Sequence, residues 1–392
     1  MSARDVIANL RALAARTSDA HGAQRVAWGP VWRDARLWLG ELLAAEGLRA
    51  EMDAAGNNWI TLPGARPETV IIGGHLDSVP SGGWLDGPLG VLTGVEALRR
   101  YKGTTPPVTL AVVDFADEEG ARFSRSLLGS SGASGSLVPD SVRGLVDRAG
   151  VRLADALAEN GVDVDRMPEA RRALDERHPR AYLELHIEQG PVLESLGRST
   201  GAVIGTYGVE RHVLRFVGQA AHSGSTPIAM RRDAFLAAAE TALACRDIAR
   251  RHSTPTAGMV CTVGTVSVEP GILRQALADA QEAAARAAAA NGVSVEWRHV
   301  WRIDPCRFDP RLVELCAEAV QEATGHAPRL PSGPLHDAVE MGRIMPSVMM
   351  FATSINGLSH CKEEDTAEAD LEVTIDAFLR LVDKAVAMVA AA

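Results

Sequence analysis

Short apolar runs that stop at glycine and then at acid or histidine recur along the first half of the chain. Val70-Ile71-Ile72 runs into Gly73-Gly74-His75-Leu76-Asp77, and Val112-Val113 runs into Asp114-Phe115-Ala116-Asp117-Glu118-Glu119-Gly120. Leu183-Glu184-Leu185-His186-Ile187 alternates apolar and polar residues, and Val348-Met349-Met350-Phe351 leads to Asn356-Gly357-Leu358-Ser359-His360. Runs of this length bounded by glycine predict buried strands. Between them, Arg11–Ala14 and Arg33–Leu43 have helical period, and Trp59–Leu62 and Thr109–Phe115 predict further strands. Helices alternating with strands predict an α/β fold with a mainly parallel sheet covered on both faces. The stretch 141–177, rich in alanine and arginine, predicts helix and polar loop.

The pattern changes near Gly205. A strand is predicted at Val213–Val217, a helix at Arg232–Arg251, a strand at Val260–Val268, an alanine-rich helix at Leu273–Ala290 and a strand at Val293–Val300. This is a small α+β segment. The α/β pattern resumes after Asp309-Pro310, with a helix over Leu312–Thr324 and a long last helix from Glu368. The chain therefore divides into a discontinuous larger domain, 1–203 and 310–392, and an inserted domain, 204–309. The alanine run Ala283–Ala290 has helix propensity and is not a linker.

The strand ends carry the candidate chemistry. His75 and Asp77 lie two apart on one side of the pleat, and Asp86 follows in a loop rich in Gly and Pro. A histidine held by one carboxylate, with a second free to bridge, suits the first segment of a metal cluster. Three consecutive carboxylates, Asp117-Glu118-Glu119, repel one another unless a cation sits among them. Alone, each feature suits a solvated turn or a hydrogen-bonded histidine. Four strand ends bearing histidine or acid together point to one site at the carboxyl edge of an open sheet.

Composition narrows the classes. The chain has 392 residues, 46% hydrophobic, with net charge −10. That is globular and disfavours nucleic acid, since no basic stripe accompanies it. Five scattered cysteines without a Cys-x-x-Cys exclude a disulfide framework and a cysteine-rich zinc site. Cys361, beside His360, is read as a bystander. The first residues open a polar amphipathic helix without an apolar signal core, and no stretch approaches a membrane span. A reducing cytoplasm is the expected location.

Taken together, His75-Leu-Asp77-Ser-Val-Pro, Trp84-Leu-Asp86-Gly-Pro-Leu-Gly, Glu118-Glu119-Gly-Ala-Arg-Phe123 and Leu185-His186-Ile-Glu-Gln-Gly-Pro-Val-Leu-Glu194 resemble a known family. Ala221-His222-Ser-Gly-Ser-Thr-Pro227, Met230-Arg-Arg-Asp-Ala234, Leu335-His336-Asp337-Ala338 and Gly357-Leu-Ser-His360 extend the resemblance over nearly the whole chain. The family is the di-zinc aminoacylase/carboxypeptidase superfamily, in its branch of N-carbamoyl-L-amino-acid hydrolases, β-ureidopropionases and allantoate amidohydrolases. His-Ile-Glu-Gln-Gly-Pro is much more specific than the common His-x-Asp pattern.

The resemblance implies a di-metal exopeptidase-like catalytic domain and an inserted ferredoxin-like lid that also dimerises. It implies two divalent ions (zinc, with manganese, cobalt or nickel as alternatives) held by His75, Asp86, Glu119, His186 and His360. Asp86 would bridge the ions, Asp77 would support His75, and Glu118 would be the general base. His222 would reach from the smaller domain, often of a neighbouring subunit, to the oxygen of the scissile carbonyl. Gln189 and His336, and more weakly Arg231 and Arg232, resemble residues of the substrate pocket. The residue types suit that chemistry: two ions ~3.5–4 Å apart lower the pKa of a shared water toward ~7, and a non-ligating carboxylate beside a ligating one relays its proton. The expected activity is hydrolysis of a linear carbamoyl or ureido amide, such as an N-carbamoyl-L-amino acid. A related aminoacylase, dipeptidase or allantoate-type activity and an inactive metal-binding homologue are the alternatives. The expected assembly is a homodimer.

The insert departs from the family pattern. After Val266-Ser-Val-Glu-Pro270-Gly271, the family has an Asn, a second Pro-Gly and a strand ending in Asp-x-Arg, whose Asn and Arg hold the substrate carboxylate. Here Gly271 leads directly into Ile272-Leu-Arg-Gln-Ala-Leu. The expectation is a lid lacking one strand, with its usual carboxylate anchor absent.

Overall fold

The structure is a computed structural model that describes residues 3–253, 266–267 and 270–392. The chain divides into two compact units. One comprises Met1–Ile204, Phe308–Leu330 and Leu335–Ala392; the other comprises Gly205–Arg307 and Pro331–Pro334. Residues Pro331–Pro334 join the second unit, where Tyr207 N donates to Ser332 O. That return is not visible in the hydrophobic pattern.

In the larger unit the four central strands run parallel: Ser347–Ala352, Pro179–Ile187, Thr69–His75 and Thr109–Phe115, in that order. Antiparallel strands flank them, Thr200–Thr206 on one side and Asn58–Leu62 then Ala50–Met52 on the other. Thr69–His75 and Ser347–Ala352 are buried at every position. Continuous apolar runs of this kind belong to parallel strands covered on both faces. Helix Pro88–Arg100 packs on the three strands that end at His75, Phe115 and Ile187, and also on Ala3–Thr17 and Glu368–Ala390. Glu368–Ala390 packs in turn on Pro310–Thr324. Short helices Leu128–Ser134 and Asp337–Gly342 pack together, the latter also against Pro179–Ile187 and Ser347–Ala352. The carboxyl ends of the parallel strands therefore present His75, Phe115, Ile187 and Ala352 side by side. The stretch 141–177 forms short helices, Leu153–Glu159 and Glu169–Asp175 among them, that pack with Trp28 and Trp32 in one apolar cluster.

In the smaller unit, strands Val266–Ser267, Gly208–Val217 and Ser294–Ile303 form an antiparallel sheet in that order. Helices Ala234–His252 and Pro270–Ala290 pack on each other, with Ile248, Ala276, Ala280 and Ala283 between them and Trp297 against them. The alanines let the two helices approach closely. Of the strand expected over Val260–Val268, only Val266–Ser267 lies within the described residues. Among the described residues, no helix is long and apolar enough to cross a membrane, and Cys245, Cys306, Cys316 and Cys361 form no disulfide.

Candidate metal centre

His75 ends its strand, and the chain then turns through Leu76 and Asp77 toward a loop that brings Asp86 back beside it. His75 Nε2 lies 3.8 Å from Asp86 Oδ1 and 3.8 Å from Glu118 Oε2, and has no hydrogen-bond partner although buried. His186, near the end of the neighbouring strand, places Nε2 3.1 Å from Asp86 Oδ1. His360 Nε2 lies 3.4 Å from Asp86 Oδ2 and 3.4 Å from Glu119 Oε2. One ligand atom each from His75, Asp86 and His186 lie within 4.8 Å of one another, and so do one each from Asp86, Glu119 and His360. Asp86 is common to both groups and offers a different oxygen to each.

Backbone and buried partners fix this arrangement. Asp77 Oδ1 and Oδ2 accept from Glu118 N at 3.3 Å and Glu119 N at 3.2 Å, and Oδ1 stands 3.6 Å from His75 Nδ1. His75 Nδ1 also meets Asp77 O at 3.1 Å, and His186 Nδ1 meets Ile187 O at 2.9 Å. Both rings thus present Nε2 to the site. Gly87, with φ +84°, is required where it stands: a Cβ there would lie 2.5 Å from the His75 ring. Asp117, Gln189 and His360 adopt left-handed backbone, φ +57°, +56° and +56°. For residues other than glycine this costs of order 1–3 kcal/mol and is held only where the surroundings over-determine it. Trp28 Nε1 donates to Asp117 Oδ2 at 2.7 Å and holds the first of these turns.

The His-Ile-Glu-Gln-Gly-Pro segment divides its labour. His186 faces Asp86, while Glu188 accepts from Val192 N and Leu193 N, both at 2.8 Å, and closes the turn that follows. Gln189 Nε2 lies 2.8 Å from Asp86 Oδ2, 2.9 Å from Ser359 Oγ and 3.2 Å from His360 Nε2. His336 is buried with its ring centroid 4.3 Å from that of His186. It also forms a possible ligand group with Glu184 and His186.

Electrostatics fit a cation. Burial, with repulsion from Asp337, Glu119 and Asp77, pushes the Glu118 carboxyl well above the carboxylate range, against the pull of His75. Burial and Asp86 push Glu119 up to about 7, and burial and Asp77 push Asp117 up to about 8. Burial opposes the charged form of Asp86, but His186 and His360 outweigh it and hold this carboxyl well below its usual range. Burial likewise opposes the His75 imidazolium, and Glu118, Asp77 and Asp86 overcome it. So many buried carboxylates within reach of neutral-capable imidazoles form an oxygen–nitrogen donor set suited to divalent ions such as zinc or manganese. The orphaned His75 Nε2 is the ligand atom such an ion would take. The donor set fits a divalent metal.

His222 lies in the smaller unit. Its Nδ1 accepts from Gly224 N and Ser225 N, both at 3.1 Å, so Nε2 carries the hydrogen. Arg231 donates from Nε to Thr226 O at 3.0 Å and from Nη2 to Ser223 O at 2.5 Å. Two of its donors are thus spent on the loop that carries His222. Asp233 caps the next helix by accepting from Phe235 N and Leu236 N.

Several residues at the metal centre escape sequence reading. Arg25 is fully buried; its Nε donates to Leu76 O at 2.7 Å, and desolvation, against attraction from Asp86 and Glu364, lowers it to about 10. Glu364 accepts from Leu85 N and Asp86 N. Glu184 accepts from the Tyr182 hydroxyl and Ala338 N, both at 2.8 Å. Arg25 follows Gln24 in Gly22-Ala23-Gln24-Arg25-Val26, where nothing local marks it as buried. Glu364 sits in Glu363-Glu364-Asp365, an acidic run that reads as solvated.

The model of the peptidase family M20/M25/M40 matches residues 71–384. An N-carbamoyl-L-amino acid amidohydrolase of Geobacillus stearothermophilus is 35% identical over 377 residues, 90% of each chain. An allantoate amidohydrolase of Escherichia coli is 30% identical over 378 residues, again 90% of each. The crystal structure of a hydantoinase/carbamoylase family amidase from Burkholderia phymatum superposes with a TM-score of 0.87 at 28% identity, covering 99% of this chain and 98% of that one.

Proposed function

The chain belongs to the peptidase family M20/M25/M40, and from that premise we propose that it is a metal-dependent amidohydrolase that cleaves linear carbamoyl or ureido C–N bonds. N-carbamoyl-L-amino acids are the first substrates to test, by similarity to the amidohydrolase of Geobacillus stearothermophilus, with allantoate the second. The observation that supports this reading most is Asp86, which offers one oxygen to the His75–His186 group and the other to the Glu119–His360 group. We assign His75, Asp86, His186, Glu119 and His360 as ligands of two divalent ions. When bound, such ions would supply Lewis acidity toward the scissile carbonyl and a lowered pKa for water.

The residues of the chain do the rest. Glu118 does not belong to either ligand group, and its Oε2 stands 3.8 Å from His75 Nε2. It takes the proton of the attacking water and delivers it to the leaving nitrogen. Burial, and after it repulsion from neighbouring carboxylates, raises its proton affinity, which suits a group that must hold a proton between the two transfers. Asp77 keeps His75 oriented and holds the Glu118-Glu119 turn in place. His222, with its hydrogen on Nε2, is the donor to the developing oxyanion, a contact worth about 2.7–4 kcal/mol. Gln189 and His336 are assigned to the substrate side of the centre. Arg231 is assigned there with one guanidinium nitrogen, since its other two hold the His222 loop. The protein is inferred to act as a cytoplasmic homodimer; light scattering that finds only monomer at micromolar concentration contradicts the assembly.

Stripped protein reloaded with zinc, manganese, cobalt or nickel tests the activity. It should release ammonia from an N-carbamoyl-L-amino acid, and acyl-amino acids and dipeptides run beside it test the aminoacylase reading. A protein that binds metal and turns over no member of the panel would overturn the proposal.

A further inference from the structure

The segment Gly83–Asp86 carries the aspartate common to both ligand groups, yet it is a loop. The buried backbone polar groups of such a loop need partners, and those partners help fix its position. Gln189 and Ser359 reach the Asp86 carboxylate and Asp365 accepts from Trp84 Nε1, while Glu364 and Arg25 hold the backbone of the loop. Glu364 Oε1 accepts from Asp86 N at 3.1 Å and from Leu85 N at 3.3 Å. Its other oxygen, Oε2, accepts from Ser359 Oγ at 3.3 Å, in the residue before His360. From the other side, Arg25 Nε donates to Leu76 O at 2.7 Å, and Nη2 reaches Gly83 O at 3.5 Å. Both side chains are buried. Gly83 makes room for the arrangement: a Cβ there would stand 2.0 Å from Glu364 Oε1.

We infer that Glu364 is a positioning residue that clamps the loop of Asp86 to the loop of His360 and thereby sets the affinity of the centre for its metal. It holds no ion itself and touches no reacting atom. It joins two segments about 275 residues apart, so that Asp86 Oδ2 and His360 Nε2 face each other at 3.4 Å. What the clamp needs is reach, because its hydrogen bonds are already 3.1–3.3 Å long. Charge is secondary, since the oxygen of a neutral amide accepts the same two N–H groups. Partners of metal-binding residues typically change affinity 10–100-fold when altered.

The inference rests on the ligand assignment above, and the test separates the two. Zn²⁺ affinity is measured by competition with a chromophoric chelator on stripped full-length protein, with the fold of each stripped variant checked by circular dichroism. Glu364→Asp keeps the charge but is one methylene shorter and cannot span both loops; it should lose at least about tenfold in affinity. Gly83→Ala, which displaces the carboxylate without removing it, should lose as much. Glu364→Gln keeps the reach and should stay within about threefold of the parent. A Glu364→Asp protein that binds Zn²⁺ like the parent overturns the clamp. So does a Glu364→Gln protein that loses tenfold, because charge and not reach would then be the property that counts. Glu364→Gln conserves volume and keeps the test open if the other two variants do not fold. If the parent itself binds no Zn²⁺, the ligand assignment fails and not this inference alone.

Discussion

Replacing Asp77 by alanine perturbs the centre while leaving every assigned ligand side chain in the sequence. Its carboxylate accepts two buried N–H groups, of Glu118 and Glu119, at 3.3 and 3.2 Å. Hydrogen bonds to a charged group are worth about 1.5–3 kcal/mol each, and these are long, so the pair is worth about 3 kcal/mol. The stripped protein loses less than that, because Asp77 also repels Asp117, Glu118 and Glu119 and its removal relieves them. Metal affinity carries the larger effect. The turn that presents Glu119 is released, and His75 Nδ1 keeps only the backbone carbonyl of residue 77. Loss of such support typically costs 10–100-fold in affinity. Asp77→Asn keeps the shape and one accepting oxygen and should fall between parent and alanine variant. Chelator competition with Zn²⁺ measures the affinity, and urea denaturation of the stripped protein measures the stability. An Asp77→Ala protein with parental Zn²⁺ affinity would refute the reasoning.

Glu118→Gln should lower turnover by about 10²–10⁴ while metal content, read by elemental analysis, stays parental. Gly87→Ala, forced to φ +84° with its Cβ 2.5 Å from the His75 ring, should cost about 1–3 kcal/mol in urea denaturation and reduce metal occupancy. The stripped protein should lose stability as pH rises from about 4.5 to about 7. Burial and repulsion by Asp86 raise both Glu119 and Glu364 to about 7 from an ordinary 4.5, so the native state binds more protons than the unfolded one across that window. Zn²⁺ affinity should rise over the same window, because ligands bind metal deprotonated; a stripped protein whose urea midpoint is flat or rises would contradict both. An N-carbamoyl-amino acid should show a KM close to that of its uncharged amide, since the sequence between Thr265 and Ala290 holds no Asp-x-Arg and Arg231 has two donors committed to its own loop. Strong preference for the carboxylate form in steady-state kinetics would show that another residue holds that group.

The strands that carry the centre were legible because each is a short apolar run cut off by glycine, and parallel strands buried on both faces leave that mark. Histidine and acid at four strand ends mark the edge of the sheet that bears the candidate site, while the choice of His75, Asp86, Glu119, His186 and His360 among those residues rests on the family resemblance. What holds them was harder to see. Arg25 bonds Leu76 O and Gly83 O, and Glu364 bonds the Leu85 and Asp86 N–H groups, all far from them in sequence, and their charges are offset by groups that only the folded chain brings near. Asp117, Gln189 and His360 take left-handed backbone; Asp and His adopt it more often than most residues, but too seldom for the sequence to announce it. The return of Pro331–Pro334 to the smaller unit is carried by backbone hydrogen bonding to Tyr207, which leaves no pattern in side-chain polarity.

Ammonia release from an N-carbamoyl-L-amino acid, measured on stripped and on reloaded protein, tests the central claim most directly. The account predicts no release from stripped protein, release restored by a divalent ion, and none from reloaded Glu118→Gln beyond about one part in a hundred of the parent. Equal release before and after stripping, or parental release from Glu118→Gln, would contradict it.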